Sequence, residues 1–108
     1  MLQVTKSMQS TITRIVKLQI SDDHSEEFMR IFDAHAIRMQ SVEGCLDLKL
    51  LRDTLQRNTF FTISQWQTEF DLQTYRSSEL FNMVWSKVKP LFCARPEAWT
   101  TQELKSVR

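Results

Sequence analysis

Residues 44–66 read GCLDLKLLRDTLQRNTFFTISQW. Two stretches of two-residue alternation flank a short polar connection, Thr54–Asn58, and that pattern predicts an antiparallel hairpin. The first strand, CLDLKLLRD, sets Leu46, Leu48 and Leu50 on one face. The second, TFFTISQW, is rich in aromatic and β-branched residues. It sets Phe60, Thr62, Ser64 and Trp66 on one face and Phe61, Ile63 and Gln65 on the other. The pattern groups Leu46, Leu48, Leu50, Phe61 and Ile63 as one apolar surface, with Phe60, Leu51 and Trp66 on the opposite one. Gly44, the single glycine of the chain, marks a turn that calls for positive φ.

Upstream, Thr11 to Ile20 alternates in the same way, with Ile12, Arg14, Val16, Leu18 and Ile20 on one face. Ser21, Asp22, Asp23 and Ser25 offer side-chain oxygens to the first amides of a helix, and Glu26 and Glu27 suit its positive end. The helix ends near Ser41, and its apolar stripe runs Phe28, Ile31, Phe32, His35, Ala36, Met39. Downstream, Thr68 and Asp71 form a capping pair for a short helix through Tyr75. Ser77 or Ser78 caps a second helix that turns Leu80, Phe81, Val84, Trp85 and Val88 inward and is limited by Pro90. AWTTQEL, after Pro96, reads as the last strand. Strand, helix, strand, strand, helix, strand is the order of an α+β, ferredoxin-like split βαβ antiparallel sheet with helices on one face. Residues 1–10 read as a flexible lead-in and 11–108 as one domain. A sheet apolar on both faces needs a second cover, which predicts a homodimer with sheets packed face to face.

A chain of 108 residues buries roughly two-thirds of its surface on folding, enough for one core. Its 14 basic and 13 acidic residues leave a formal charge of +1, too weak a field to favour nucleic acid or an anionic membrane as partner. One glycine excludes the glycine-rich phosphate cradles. The two cysteines, Cys45 and Cys93, lie far apart, and His24 and His35 lack metal-site spacing, so the expectation is reduced thiols and no metal, haem or flavin. There is no leader-like segment and no run of 18 apolar residues, which places the protein in the cytoplasm.

The order and spacing of SEEFMRIF, VEGCLDLKLLRD, NTFFTISQW and SSELFNMVWSKVKPL resemble the antibiotic biosynthesis monooxygenase (ABM) family over about residues 12 to 104. The resemblance implies a dimeric α+β barrel and an ABM-like small protein. Its activity would be cofactor-independent oxygenation of a planar, ionisable, phenolic or quinone-like molecule, the alternative being a non-catalytic small-molecule-binding dimer. Oxygenase-like members place an Asn and a Trp four apart at the end of the third strand. Trp66 matches the Trp, whereas Thr62 stands at the Asn position and Leu72 at that of a family Tyr. The haem-degrading branch's helix His falls on Trp85 and its first-strand Asn on Val16, against haem chemistry. The isomerase branch's histidines are not matched either: His35 lies about one residue off, and Tyr75 stands where another would be.

The resulting candidates are His35, Tyr75 and Arg14 for catalysis, with Trp66, Thr62, Phe28, Phe32, Phe81 and Trp85 for binding a small hydrophobic or aromatic molecule. His35 or Tyr75 would act as base or hydrogen-bond partner. Arg14 and Thr62 would steady a developing oxyanion, and Trp66 would stack on the ring. Each has a plainer alternative: His35 as a core imidazole, Arg14 as a packed stem with a wet head, and the aromatic residues as core.

Overall fold

The computed structural model describes residues 11–107. Ile12–Gln19 forms β1, Ser25–Gln40 α1, Cys45–Arg52 β2, Thr59–Trp66 β3, Glu69–Arg76 α2, Glu79–Val88 α3 and Glu97–Gln102 β4. The sheet order is β2-β3-β1-β4, and every neighbouring pair is antiparallel. This is the ferredoxin-like α+β sheet expected. The lead-in at 1–10 lies outside the described residues. No helix among the described residues is long and apolar enough to cross a membrane.

Register corrects the expected faces of the hairpin. Leu48 pairs with Ser64 and Leu50 with Thr62, whereas Leu51 pairs with Phe61. Directly paired residues share a face. Leu48 and Leu50 therefore lie with Phe60 and Trp66 on the inner, helix-covered face, and Leu51 lies with Phe61 and Ile63 on the outer one. The hairpin connection sets this register by pairing Arg52 with Phe60, and a shift between Cys45 and Asp47 acts only on the far end, where it places Cys45 opposite Trp66 and leaves Leu46 out of the alternation and exposed. An extra residue of this kind reverses the parity of everything on one side of it. β1 keeps its predicted faces, with Arg14 opposite Ser64 and Thr100, and Val16 opposite Thr62 and Ala98.

The helix ends divide between confirmation and correction. Thr68 Oγ1 accepts from the Asp71 amide at 3.0 Å, and Ser78, not Ser77, accepts from Phe81 at 3.1 Å. α1 has no side-chain cap. The chain enters it through a 3₁₀ turn, Asp22–His24, in which the His24 amide donates to the Ser21 carbonyl, so backbone replaces the expected side-chain oxygens. β4 begins one residue before the expected segment and stops at Gln102, which pairs with Ile12, the first residue of β1. Beyond that point Glu103 and Leu104 have no β1 residue to pair with.

Leu18, Ile20, Phe28, Phe60, Val88 and Leu91 form the buried core, with Val16, Leu50, Val84, Trp85 and Phe92 packed against it. The core fills one end of the space between sheet and helices. Gly44 holds the other end: its φ is +86°, and a Cβ there would collide with the Asp71 side chain at the start of α2. The Gly44 carbonyl accepts from the Gln67 amide at 2.8 Å. The turn thereby ties the entry of β2 to the exit of β3.

Candidate functional site

Between the inner sheet face and the helices lies a cavity of about 390 Å³, within the range of small-molecule sites, about 300–1,000 Å³. The sheet supplies Arg14, Val16, Leu48, Thr62, Ser64 and Trp66 to its wall. α1 supplies Phe28, Phe32 and Met39, α2 supplies Leu72, Tyr75 and Arg76, and α3 supplies Phe81, Val84, Trp85 and Val88. Helical spacing explains these sets: 28, 32 and 39 lie on one stripe of α1, and 72, 75 and 76 on one of α2. Arg14, Tyr75, Thr62, Trp66, Phe28, Phe32, Phe81 and Trp85 thus surround a single space.

His35 does not line that space. Its Nδ1 is buried with no hydrogen-bond partner among the described residues. Burial and the nearby Lys87 of α3 and Arg38 hold the imidazole below its usual pKa. The expected placement of His35 as a base in the cleft is therefore corrected.

An aromatic ladder forms one wall. Trp66 stacks on Tyr75 with centroids 5.2 Å apart, and Tyr75 meets Phe81 edge-on at 5.3 Å. Phe81 stacks on Trp85 at 5.8 Å, and Trp85 meets Phe92 edge-on at 5.3 Å. Trp66 is 2% exposed, and its Nε1 donates to Ser64 Oγ at 2.9 Å, which satisfies both polar groups out of water.

Tyr75 is the ionisable group most changed by this setting. Burial, with Cys45 adding to it, pushes its phenol up to about 12. At neutral pH it is a hydrogen-bond donor and not a base. Burial also raises the Cys45 thiol. Arg14 is half-buried, donates from Nη1 to Thr100 Oγ1 at 2.7 Å, and is held below its usual value by burial and by Arg76, yet a guanidinium remains charged. Among the described residues the lining contains no carboxylate and no imidazole. The wall can donate hydrogen bonds and offer positive charge, but it holds no base for neutral pH.

Tyr75 is the only tyrosine in the sequence, so its ionisation can be followed alone by tyrosinate absorbance. The folded protein should titrate near 12, against about 10 for an unfolded tyrosine. The folded state holds this proton more tightly, so the associated stability is complete below the unfolded pKa and is lost as pH rises through the folded one. A folded-state midpoint at the unfolded value would contradict the burial of the phenol.

Arg76, Cys45 and Ser64 were not anticipated as wall residues. Arg76 was within reach of the sequence, because Leu72, Tyr75 and Arg76 follow helical spacing. Cys45 required the register shift, whereas Ser64 already shared the face of Thr62 and Trp66 by strand alternation.

A family model described as antibiotic biosynthesis monooxygenase matches residues 11–83. No curated protein matches the chain. Among solved structures, a conserved protein from Methanosarcina mazei superposes with a TM-score of 0.84 at 16% identity, covering 93% of this chain and 99% of its own. A candidate antibiotic biosynthesis monooxygenase from Caulobacter crescentus gives 0.83 at 16% identity, with 90% and 92% covered. A Pseudomonas aeruginosa protein gives 0.78 at 21% identity, with 91% and 98% covered.

Proposed function

Since the chain belongs to the antibiotic biosynthesis monooxygenase family, we propose that it is a small monooxygenase that oxidises a planar, ionisable phenolic or quinone-like molecule with dioxygen and without a resident cofactor. One observation carries this reading: a partly open, largely apolar cavity with six aromatic side chains in its wall, whose polar groups include the donors and cations Tyr75, Thr62, Ser64, Arg14 and Arg76. Such a wall binds a flat molecule best when it bears negative charge on oxygen, the form of a phenol that reacts with oxygen.

The phenol loses its proton to solvent, favoured by Arg14, because no described lining residue is a base. Charge delocalised onto a ring carbon is transferred to dioxygen, and a carbon–oxygen bond forms to give a peroxide anion. Tyr75 donates a proton to the peroxide and recovers one from solvent. Loss of the ring C–H proton with departure of hydroxide as water leaves a ring carbonyl. In sum, a phenol and one O₂ give a quinone and one H₂O. Oxygen uptake in a screen of planar phenols, with one quinone formed per O₂ consumed, tests the reaction.

The lack of a lining base favours a second reading, a dimer that binds the same molecules without turning them over. Tight binding with no oxygen uptake by any bound phenol would select it. Two free, widely separated thiols suit a reducing cytoplasm under either reading.

The assembly in both cases is a homodimer joined through the outer sheet face. Ile15 pairs with both Ile63 and Trp99 there, beside Leu51 and Phe61. Leu51 and Trp99 are 47% and 45% exposed. Packing two such faces together would bury on the order of 2,000 Å² or more, as in obligate dimers. Sedimentation at micromolar concentration should give one dimeric species, and a monodisperse monomer would refute the assembly.

A further inference from the structure

Among the described residues the cavity carries two guanidinium groups and no carboxylate to neutralise them. Arg14 enters from β1, interrupting its apolar inner face, and Arg76 enters from the last turn of α2. Among the described residues neither forms a salt bridge. Their side-chain bonds go to neutral acceptors, Arg14 Nη1 to Thr100 Oγ1 at 2.7 Å and Arg76 Nη1 to Gln73 Oε1 at 3.1 Å. Each guanidinium has five N–H donors, so both keep several for something else. Arg76 also suits the negative end of α2, but that role does not require it to reach the cavity. Nor does it explain Arg14, whose half-burial beside a second cation costs free energy unless an anion compensates it. The guanidinium plane matches a carboxylate better than any other small anion except phosphate, and the aromatic wall favours a flat body over a phosphorylated one.

We infer that the molecule taken by this cavity is an aromatic carboxylate, with its ring against Tyr75 and Phe81 and its carboxylate held by Arg76 and Arg14. This rests on the reading of the cavity as a ligand site and adds to it the charge of the substrate class. Arg76, being exposed, meets the anion first, and Arg14 holds it further in. A neutral aromatic of the same shape would fill the cavity but leave both cations uncompensated.

The test compares 2-naphthoate with 2-naphthamide, flat molecules of nearly equal size that differ in charge, by calorimetric titration of the whole protein. Naphthoate should bind on the order of tenfold to a hundredfold more tightly, the usual strength of a charge-assisted hydrogen-bonded pair. Arg76→Gln, at an exposed helix end, should remove most of that preference and leave naphthamide binding unchanged. Arg14→Gln should act in the same direction, with circular dichroism confirming its fold. Equal affinity for the two ligands, or equal weakening of both by Arg76→Gln, would overturn the carboxylate assignment while leaving an aromatic cavity in place. Failure of both ligands to bind would overturn the cavity reading together with the assignment.

Discussion

Trp66→Ala should cost about 3–5 kcal/mol of folding stability, the usual range for truncating a buried large aromatic residue. Trp66 is 2% exposed and borders a space that is already open, so the walls can do little to collapse into the volume it leaves. Its loss also strips Ser64, itself buried, of the indole donor at 2.9 Å, and removes the face on which Tyr75 stacks. Urea unfolding at fixed protein concentration measures the effect, since the apparent stability of the proposed dimer depends on concentration. This alters what the residue can report about function. Any loss of ligand affinity in Trp66→Ala would mix stacking with repacking, so the variant belongs to the stability account first. A change below about 1 kcal/mol, the level of a typical surface or lightly packed site, would contradict that account.

Tyr75→Phe separates chemistry from structure. The ring stays between Trp66 and Phe81, so folding and dimerisation should be unaffected, while the only phenol in the cavity disappears. If Tyr75 protonates the peroxide, oxygen uptake with an active phenol should fall by about 10²–10⁴, as for other positioned proton donors. Substrate affinity should change little. The pH profile of the native protein should rise with ionisation of the substrate and show no fall from Tyr75 below its value of about 12. Unchanged uptake by Tyr75→Phe would remove the residue from the mechanism.

Local patterns revealed most of the fold because its elements are short and strongly periodic. The alternation of Ile12 to Ile20, the Thr68 cap and the turn at Gly44 each follow from chemistry within a few residues. What escaped depended on register. The pairing of Arg52 with Phe60 across the hairpin connection leaves no mark in the alternation of leucines, yet it places Leu48 and Leu50 on the face of Trp66. Eight of the nine candidate site residues line one cavity, since strand and helix periodicity both turn them inward. His35 was placed on the same inward stripe by its spacing and does not line the space. Arg76 was overlooked for the opposite reason: an exposed arginine at a helix end has an ordinary role there, and only its place opposite Arg14 gives it another.

The proposed site for a flat anion is the cavity between sheet and helices. A crystal structure of the protein with 2-naphthoate bound tests it most directly. The ring should lie within the cavity, in contact with Tyr75 and Phe81, with the carboxylate within hydrogen-bond distance of Arg76 or Arg14. A ring bound only on the outer sheet face, with the cavity unfilled, would contradict it.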